Sequence, residues 1–416
     1  MNQEFEKKFF WGASTASHQV EGGNYNQWSV WEEINAQRLS AEAKKSYSYL
    51  KNWDEIKLQA TSPMNYISGS GVDHYNRFEE DFDLARGINL NSLRFSIEWS
   101  RIEPREGEWN QSEIDHYKIY ISEMHKRGLE PFLNVWHWTM PVWFTDMGGF
   151  QKKRNLKYFD RYTKKIAEEL LVNVNYVMVL NEPLVYASMS YLSGDWPPSL
   201  KRPILMLRVL FNLIKAHKIA YKNFKFKDPK INIGIAAHIT NFKTDKRNII
   251  GRILVRIMNY FWNFWFLNKI NSELDFIGVN HYFTNYFKNG KFNNNPKKPV
   301  SDMGWYMEPS SIKMAIEDIW IKYKKPIIIS ENGLADRNDK NRIWWLNETF
   351  MGLKQAKDNG VDLFGYLHWS LLDNFEWAYG WWPNFGLISV NRDNMERSKR
   401  RSADHYANFI KQNPNF

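Results

Sequence analysis

The sequence predicts an α/β fold of one kind, a single (β/α)8 (TIM) barrel of parallel strands with elaborated βα loops, spanning residues 1–416 as one domain. Three observations predict it. Eight short apolar runs recur along the chain, at 9–13, 92–97, 131–135, 176–180, 231–237, 276–279, 326–329 and 363–367. Amphipathic stretches separate them, and no Gly/Ser or Pro-rich linker or fixed-period repeat divides the whole. An open doubly wound sheet is the rival. It calls for a Gly-rich phosphate turn after the first strand, and Gly12-Ala-Ser-Thr-Ala-Ser supplies none.

Each run is four to seven residues long and rich in β-branched or aromatic side chains, the mark of a strand buried on both faces. Helical patterns follow at 75–86, 113–127, 156–171, 204–224, 310–323 and 345–357, with 398–411 as the last outer helix. Gly87, Gly128 and Gly360 stand where helix C-terminal caps belong. In such a barrel all strand C-termini face one mouth, so the residues ending each run are the candidates for chemistry. In order they are His18, Gln19 and Glu21; Arg94 and Glu98; His137 between Trp136 and Trp138; Asn181 and Glu182; His238; Asn280, His281 and Tyr282; Glu331 and Asn332; His368 and Trp369. Carboxylates, amides and aromatics dominate, and no nucleophilic Ser with His and Asp partners is evident.

Composition narrows the classes. With no cysteine, a disulfide framework and a thiolate metal site are excluded. Twenty Trp, 21 Tyr and 27 Phe suit a cleft that stacks on flat ligands or sugar C–H faces, or a large aromatic core. The net charge of +10 comes from scattered Lys and Arg, with one tight run at 397–401. It reads as a solvated surface rather than a nucleic-acid site. No apolar run reaches 18 residues, so no membrane-spanning helix is expected. The N-terminus lacks a signal-peptide pattern, and a cytoplasmic location follows.

Two carboxylates stand apart. Glu182 ends Tyr-Val-Met-Val-Leu-Asn-Glu-Pro, and Glu331 ends Pro-Ile-Ile-Ile-Ser-Glu-Asn-Gly. An acid at the tip of an apolar strand costs free energy unless a partner or a task offsets it. Singly, Glu182 could simply open the next helix and Glu331 could form a turn salt bridge. Together, facing one mouth, they could converge on a glycosidic bond.

At these residues the chain resembles glycoside hydrolase family 1, the retaining β-glucosidase/β-galactosidase family. The resemblance rests on ordered motifs: Phe10-Trp-Gly-Ala-Ser-Thr-Ala-Ser-His-Gln-Val-Glu-Gly, Arg94-Phe-Ser-Ile-Glu-Trp-Ser-Arg-Ile, His137-Trp, Asn181-Glu-Pro, Ser330-Glu-Asn-Gly and His368-Trp-Ser-Leu-Leu-Asp-Asn-Phe-Glu-Trp. It implies a hydrolase with Glu182 as acid/base and Glu331 as nucleophile. Arg94 and Tyr282 would support the nucleophile, and Asn181 would meet the sugar 2-hydroxyl in the transition state. Gln19, His137, Trp138, Glu376 and Trp377 would bind the sugar over Trp369, with Trp305 and Phe385 nearby. Glu376 and the segment Trp381-Trp-Pro-Asn argue against a phosphorylated sugar.

The expected substrates are β-glucosides, with β-galactosides, β-fucosides and oligosaccharides in reach. A mannoside or aglycone specialist and a sugar-binding protein with weak turnover are the alternatives. The chemistry calls for no metal and no other cofactor. Two departures stand against the resemblance. His281-Tyr282 replaces a pair of tyrosines, and only seven residues join Trp265-Phe-Leu to Asp275, where the family carries several tens. The shortening predicts lost wall or rim material. It leaves the aromatic stretch 249–270 either as an ordinary outer helix or as an apolar opening for a second copy, a bulky aglycone or a membrane surface.

Overall fold

The computed structural model describes residues 8–293 and 299–416. Eight parallel strands form its centre: β1 (Phe10–Ser14), β2 (Ser92–Ser96), β3 (Glu130–Trp136), β4 (Tyr176–Asn181), β5 (Asn232–His238), β6 (Ile277–Asn280), β7 (Ile327–Asn332) and β8 (Leu363–Trp369). Each pairs with its chain neighbour, and β8 returns to β1, Phe10 opposite Gly365 through Ser14 opposite Trp369. The ring is therefore closed. Every strand lies within three residues of its expected run.

Alternation along the strands sorts the core. Phe10, Phe132, Tyr176, Met178, Phe276, Ile328 and Phe364 make their own buried cluster, with Phe132 stacked on Tyr176 at 4.6 Å. Their neighbours one residue on, such as Trp11, Leu133, Val177, Ile277 and Ile329, belong to the large cluster shared with the helices. This period of two is the pleat: one face fills the barrel and the other seats the outer layer.

The outer helices are His74–Gly87, Gln111–Lys126, Leu156–Glu169, Pro203–Lys227, Ile249–Asn259, Ile312–Tyr323, Arg342–Asp358 and Arg401–Gln412, one after each strand. Gly128 and Gly360 take positive φ as caps, at 67° and 90°. Gly87 does not; it is the last helical residue, and Asn89 takes the left-handed turn at φ 62°. The final helix starts at Arg401 rather than 398, because Glu396–Lys399 pairs as a strand with Ile388–Asn391. In the basic run, Arg397 pairs with buried Asp81 and Arg400 with Asp373, so both are structural cations.

The loop after β1 carries extra helices, the longest being Gln27–Tyr47 and Trp53–Ala60. Ala43, Ile56 and Ala60 from them, and Leu50 from their connection, pack with Trp369, Trp382 and Phe385 in a cluster of their own. Elaborated loops thus form one side of the barrel mouth. Among the described residues, no helix is long and apolar enough to cross a membrane.

The shortened region leaves the strand ring intact, since β5 and β6 pair from Ala236–Gly278 to His238–Asn280. The expected loss is confined to the connection. Helix Ile249–Asn259 runs into a π-helical turn, Tyr260–Trp265, then a last turn Phe266–Ile270. Of its six clustered aromatics, Phe266 is buried, Tyr260 is exposed, and Phe261, Trp262, Phe264 and Trp265 are half-buried. The wider turn spreads them to three surroundings. Phe264 neighbours Tyr323, Trp265 meets Phe211, and Trp262 turns inward to His238.

Candidate active site

A cavity of about 370 Å³ opens at the C-terminal ends of the strands. Gln19, His137, Trp138, Glu182, Tyr282, Trp305, Glu331, Trp369, Glu376, Trp377 and Phe385 all line it. Arg94 and Asn181 do not reach its surface; both are fully buried behind it. Each is recruited by the end of a strand or the loop just beyond, which is why residues more than 300 positions apart share one wall.

Local backbone geometry aims several of them. Glu182 follows β4 in the left-handed region (φ 43°, ψ 59°), and Pro183 begins a short helix at the next position. Trp138 and Trp377 also have positive φ, 74° and 52°. For residues with a Cβ this costs on the order of 1–3 kcal/mol each and persists only where surrounding contacts enforce it. Trp138 is held by donating its Nε1 to the Asn181 carbonyl oxygen at 2.8 Å. Beyond β7, Gly333 approaches β8 so closely that a Cβ there would lie 1.7 Å from the Trp369 carbonyl oxygen, so the glycine of Ser330-Glu-Asn-Gly is required by contact.

The two carboxylates sit in opposed surroundings. Glu331 accepts from the Arg94 guanidinium through Oε1 and from the Tyr282 hydroxyl at 2.7 Å through Oε2. A cation and a neutral donor on its two oxygens suit a carboxylate anion. The Glu182 carboxyl is pushed well above its ordinary range, first by burial and then by the charge of Glu331. One donor opposes this, Asn280 Nδ2 at 2.7 Å from Oε1. Opposed environments of this kind separate a proton donor from an anion.

Asn280 was visible in the sequence only as a strand-end amide, with no role. It also donates to Asn181 Oδ1 at 3.2 Å and accepts from Ser330 Oγ at 2.6 Å. Its bond to Glu182 favours the charged form, so removing it raises the Glu182 pKa further. In Asn280→Ala the alkaline limb of the kcat/KM profile is therefore expected to move to higher pH. An unchanged or lower limb would contradict the contact.

The remaining polar groups have spare bonding capacity. Among the described residues, His137 Nδ1 and Gln19 Oε1 are buried without a hydrogen-bond partner. Gln19 Nε2 donates to the Phe375 carbonyl oxygen at 2.7 Å, and His137 Nε2 lies 3.1 Å from Asn181 Nδ2. Burial, with Arg94 second, holds the His137 pKa well below its ordinary value and keeps the ring neutral. Burial also pushes Glu376 up to about 8, despite a 2.9 Å bond from Asn374 Nδ2. Asn181 spends its amide on Arg94, at 2.7 Å, and on His137. In this geometry it braces the site from behind.

Sequence reading found only part of the outer half of the cavity, through His238 and the stretch 249–270 that supplies Met258 and Trp262, and missed the rest. Phe242, Met258, Trp262, Phe283 and Phe292 line it together with His238 and Thr240. Two short parallel strands, Asn241–Thr244 and Thr284–Phe287, frame that wall: Phe242 lies on the first, Phe283 just precedes the second, and neither strand shows a long apolar run. Trp262 Nε1 donates to His238 Nδ1 at 2.9 Å. Burial and the neighbouring His281 hold His238 at about 3, so it stays a neutral acceptor. His281, the departure from the family's tyrosine, lies away from the cavity. It is bonded to the Ile239 carbonyl oxygen and to Ser311 Oγ, both at 2.7 Å.

Known proteins share this fold over nearly the whole chain. A β-glucosidase A of Acetivibrio thermocellus is 29% identical over 463 aligned positions, covering 98% of each chain. A family 1 β-glucosidase from Thermotoga maritima superposes with a TM-score of 0.86 at 27% identity, covering 99% of both chains. A β-glycosidase from Pyrococcus horikoshii gives 0.85 at 30%, covering 98% of this chain and 94% of that one. The family model described as glycosyl hydrolase family 1 matches residues 1–268 and 265–415, the two stretches meeting at the shortened connection. The chain belongs to glycosyl hydrolase family 1 and is a β-glucosidase-like glycoside hydrolase.

Proposed function

We propose that the protein hydrolyses β-D-glucosides, with β-galactosides and β-fucosides as further substrates, by a retaining double displacement. The observation that carries this reading is the pair of opposed carboxyls: Glu331 engaged as an anion by Arg94 and Tyr282, and Glu182 kept protonated by burial. Glu331 attacks the anomeric carbon while Glu182 gives its proton to the departing glycosidic oxygen. The covalent ester removes the negative charge that had raised the Glu182 pKa. Glu182 then takes a proton from water as that water displaces Glu331.

The glycone would lie over Trp369 with its hydroxyls on Gln19, His137, Glu376 and Trp377, the first two of which each keep a buried polar atom without a partner among the described residues. No Lys or Arg lines the cavity among the described residues, which favours an uncharged sugar over a phosphorylated one. The outer wall of Phe242, Met258, Trp262, Phe283 and Phe292 supports a preference for apolar leaving groups.

The test is the stereochemistry of the first product. Proton NMR during hydrolysis of nitrophenyl β-D-glucoside is expected to show the β-anomer of the sugar appearing first, with α growing by mutarotation. An α-anomer appearing first would replace the double displacement by direct attack of water.

A further inference from the structure

Residues 196–272 carry fifteen Lys and Arg against two acids, Asp228 and Asp245, while the net charge of the whole chain is +10. The outer helices Pro203–Lys227 and Ile249–Asn259 contain no Asp or Glu at all. Some of the cations are paired, Lys218 with Glu273 and Lys243 with Glu308. Arg202, Arg208, Lys246, Arg247, Arg252 and Arg256 take part in no ion pair among the described residues. The rest of the molecule is close to charge-balanced, so this face stands out.

Its apolar side chains are as unusual as its charge. On helix Ile249–Asn259 and the turn after it, Ile249, Ile250, Ile253, Ile257 and Tyr260 are all more than half exposed, Ile250 at 71%. Spacings of one, four, eight and eleven residues put them on one stripe of a helix, at about 100° per residue. Arg252 and Arg256 flank that stripe on one side, and Gly251 and Met258 face the protein. Met258 and Trp262 from the inner side reach the cavity. Ile204, Leu207 and Phe211 on the neighbouring helix are also exposed, and Phe211 contacts Trp265 at 5.4 Å. Isoleucines set among unpaired arginines gain little in water. They gain most where the methyl groups enter acyl chains and the guanidinium groups meet phosphate.

We infer that this face docks onto an anionic lipid bilayer, with helix Ile249–Asn259 lying in the headgroup layer. The mouth of the cavity would then open beside the lipid–water interface. Charge complementarity selects the occupant. A second copy of this chain would bring the same cations against these, and a nucleic acid would leave the isoleucines uncovered.

The full chain is sedimented with large unilamellar vesicles, either pure phosphatidylcholine or phosphatidylcholine with one quarter phosphatidylglycerol. Binding is expected to the anionic vesicles, at least tenfold tighter than to the neutral ones, and to weaken steeply when salt is raised from 0.05 to 0.5 M. Ile253→Glu with Ile257→Glu is expected to lower the bound fraction at least tenfold while leaving hydrolysis of a soluble aryl glucoside intact. Arg252→Gln with Arg256→Gln should reduce the preference for anionic lipid. The measurement needs no turnover, so it is independent of the reaction proposed above. Absence of vesicle binding, or undiminished binding by both double variants, would overturn the inference. So would a wild-type dimer in sedimentation equilibrium that fails to bind vesicles and becomes monomeric in the isoleucine variant, which would assign the face to self-association.

Discussion

Replacing Glu331 by alanine is expected to lower kcat on aryl β-glucosides by roughly 10⁴-fold or more, the scale lost when a member of a cooperating catalytic unit is removed. That corresponds to about 5.5 kcal/mol of barrier. The same variant should recover part of its activity in azide and release the α-glycosyl azide. The small anion enters from the side the carboxylate occupied, and a single displacement inverts the centre. Removing the Glu331 charge also removes the second-largest influence raising the Glu182 pKa. The Glu182 carboxyl, followed by carbon-13 NMR, is therefore expected to titrate at lower pH in Glu331→Ala than in the parent. Turnover within tenfold of the parent would remove Glu331 from the nucleophile's role.

Glu182→Ala is expected to separate substrates by leaving group. General acid catalysis contributes about 10²–10⁴-fold where the departing oxygen needs a proton. Alkyl glucosides should lose a factor in that range, and dinitrophenyl glucosides far less in the bond-breaking step. Azide should here yield the β-glycosyl azide, formed from the covalent intermediate by a second inversion. The pH profile should change in a specified sense. In the parent, activity falls on the alkaline side as Glu182 loses the proton that burial and Glu331 help it retain. In the variant that limb should disappear. If the Glu182 and Glu331 variants gave the same azide anomer, the two roles would be wrongly divided.

Much of the site could be read along the chain because its parts end strands, and a strand end is a local feature. An apolar run that stops at Asn181-Glu182 or Ser330-Glu331 announces a buried acid before any contact is known, and the ordered motifs around them carry the family. Eight such runs with helical periods between them were enough for the closed barrel, since each βαβ unit needs only its own pattern and the handedness of the crossover. Tertiary structure alone decided which way each side chain points and what it meets. Asn280 and Glu182 are 98 residues apart, and nothing in either neighbourhood foretells their bond. Asn181 looks like a ligand-facing amide in sequence, yet the packing of Arg94 and His137 turns it behind the wall. The wall of Phe242, Met258 and Phe292 comes from a short strand, the inner side of a helix and a turn, whose patterns are too weak to read singly. The π-helical turn likewise divides six neighbouring aromatics among two outer helices and the cavity. Local sequence specified the strand ends, because periodicity and burial act over a few residues. The protonation and the apolar outer chamber depend on contacts between distant segments, and only the closed barrel brings those segments together.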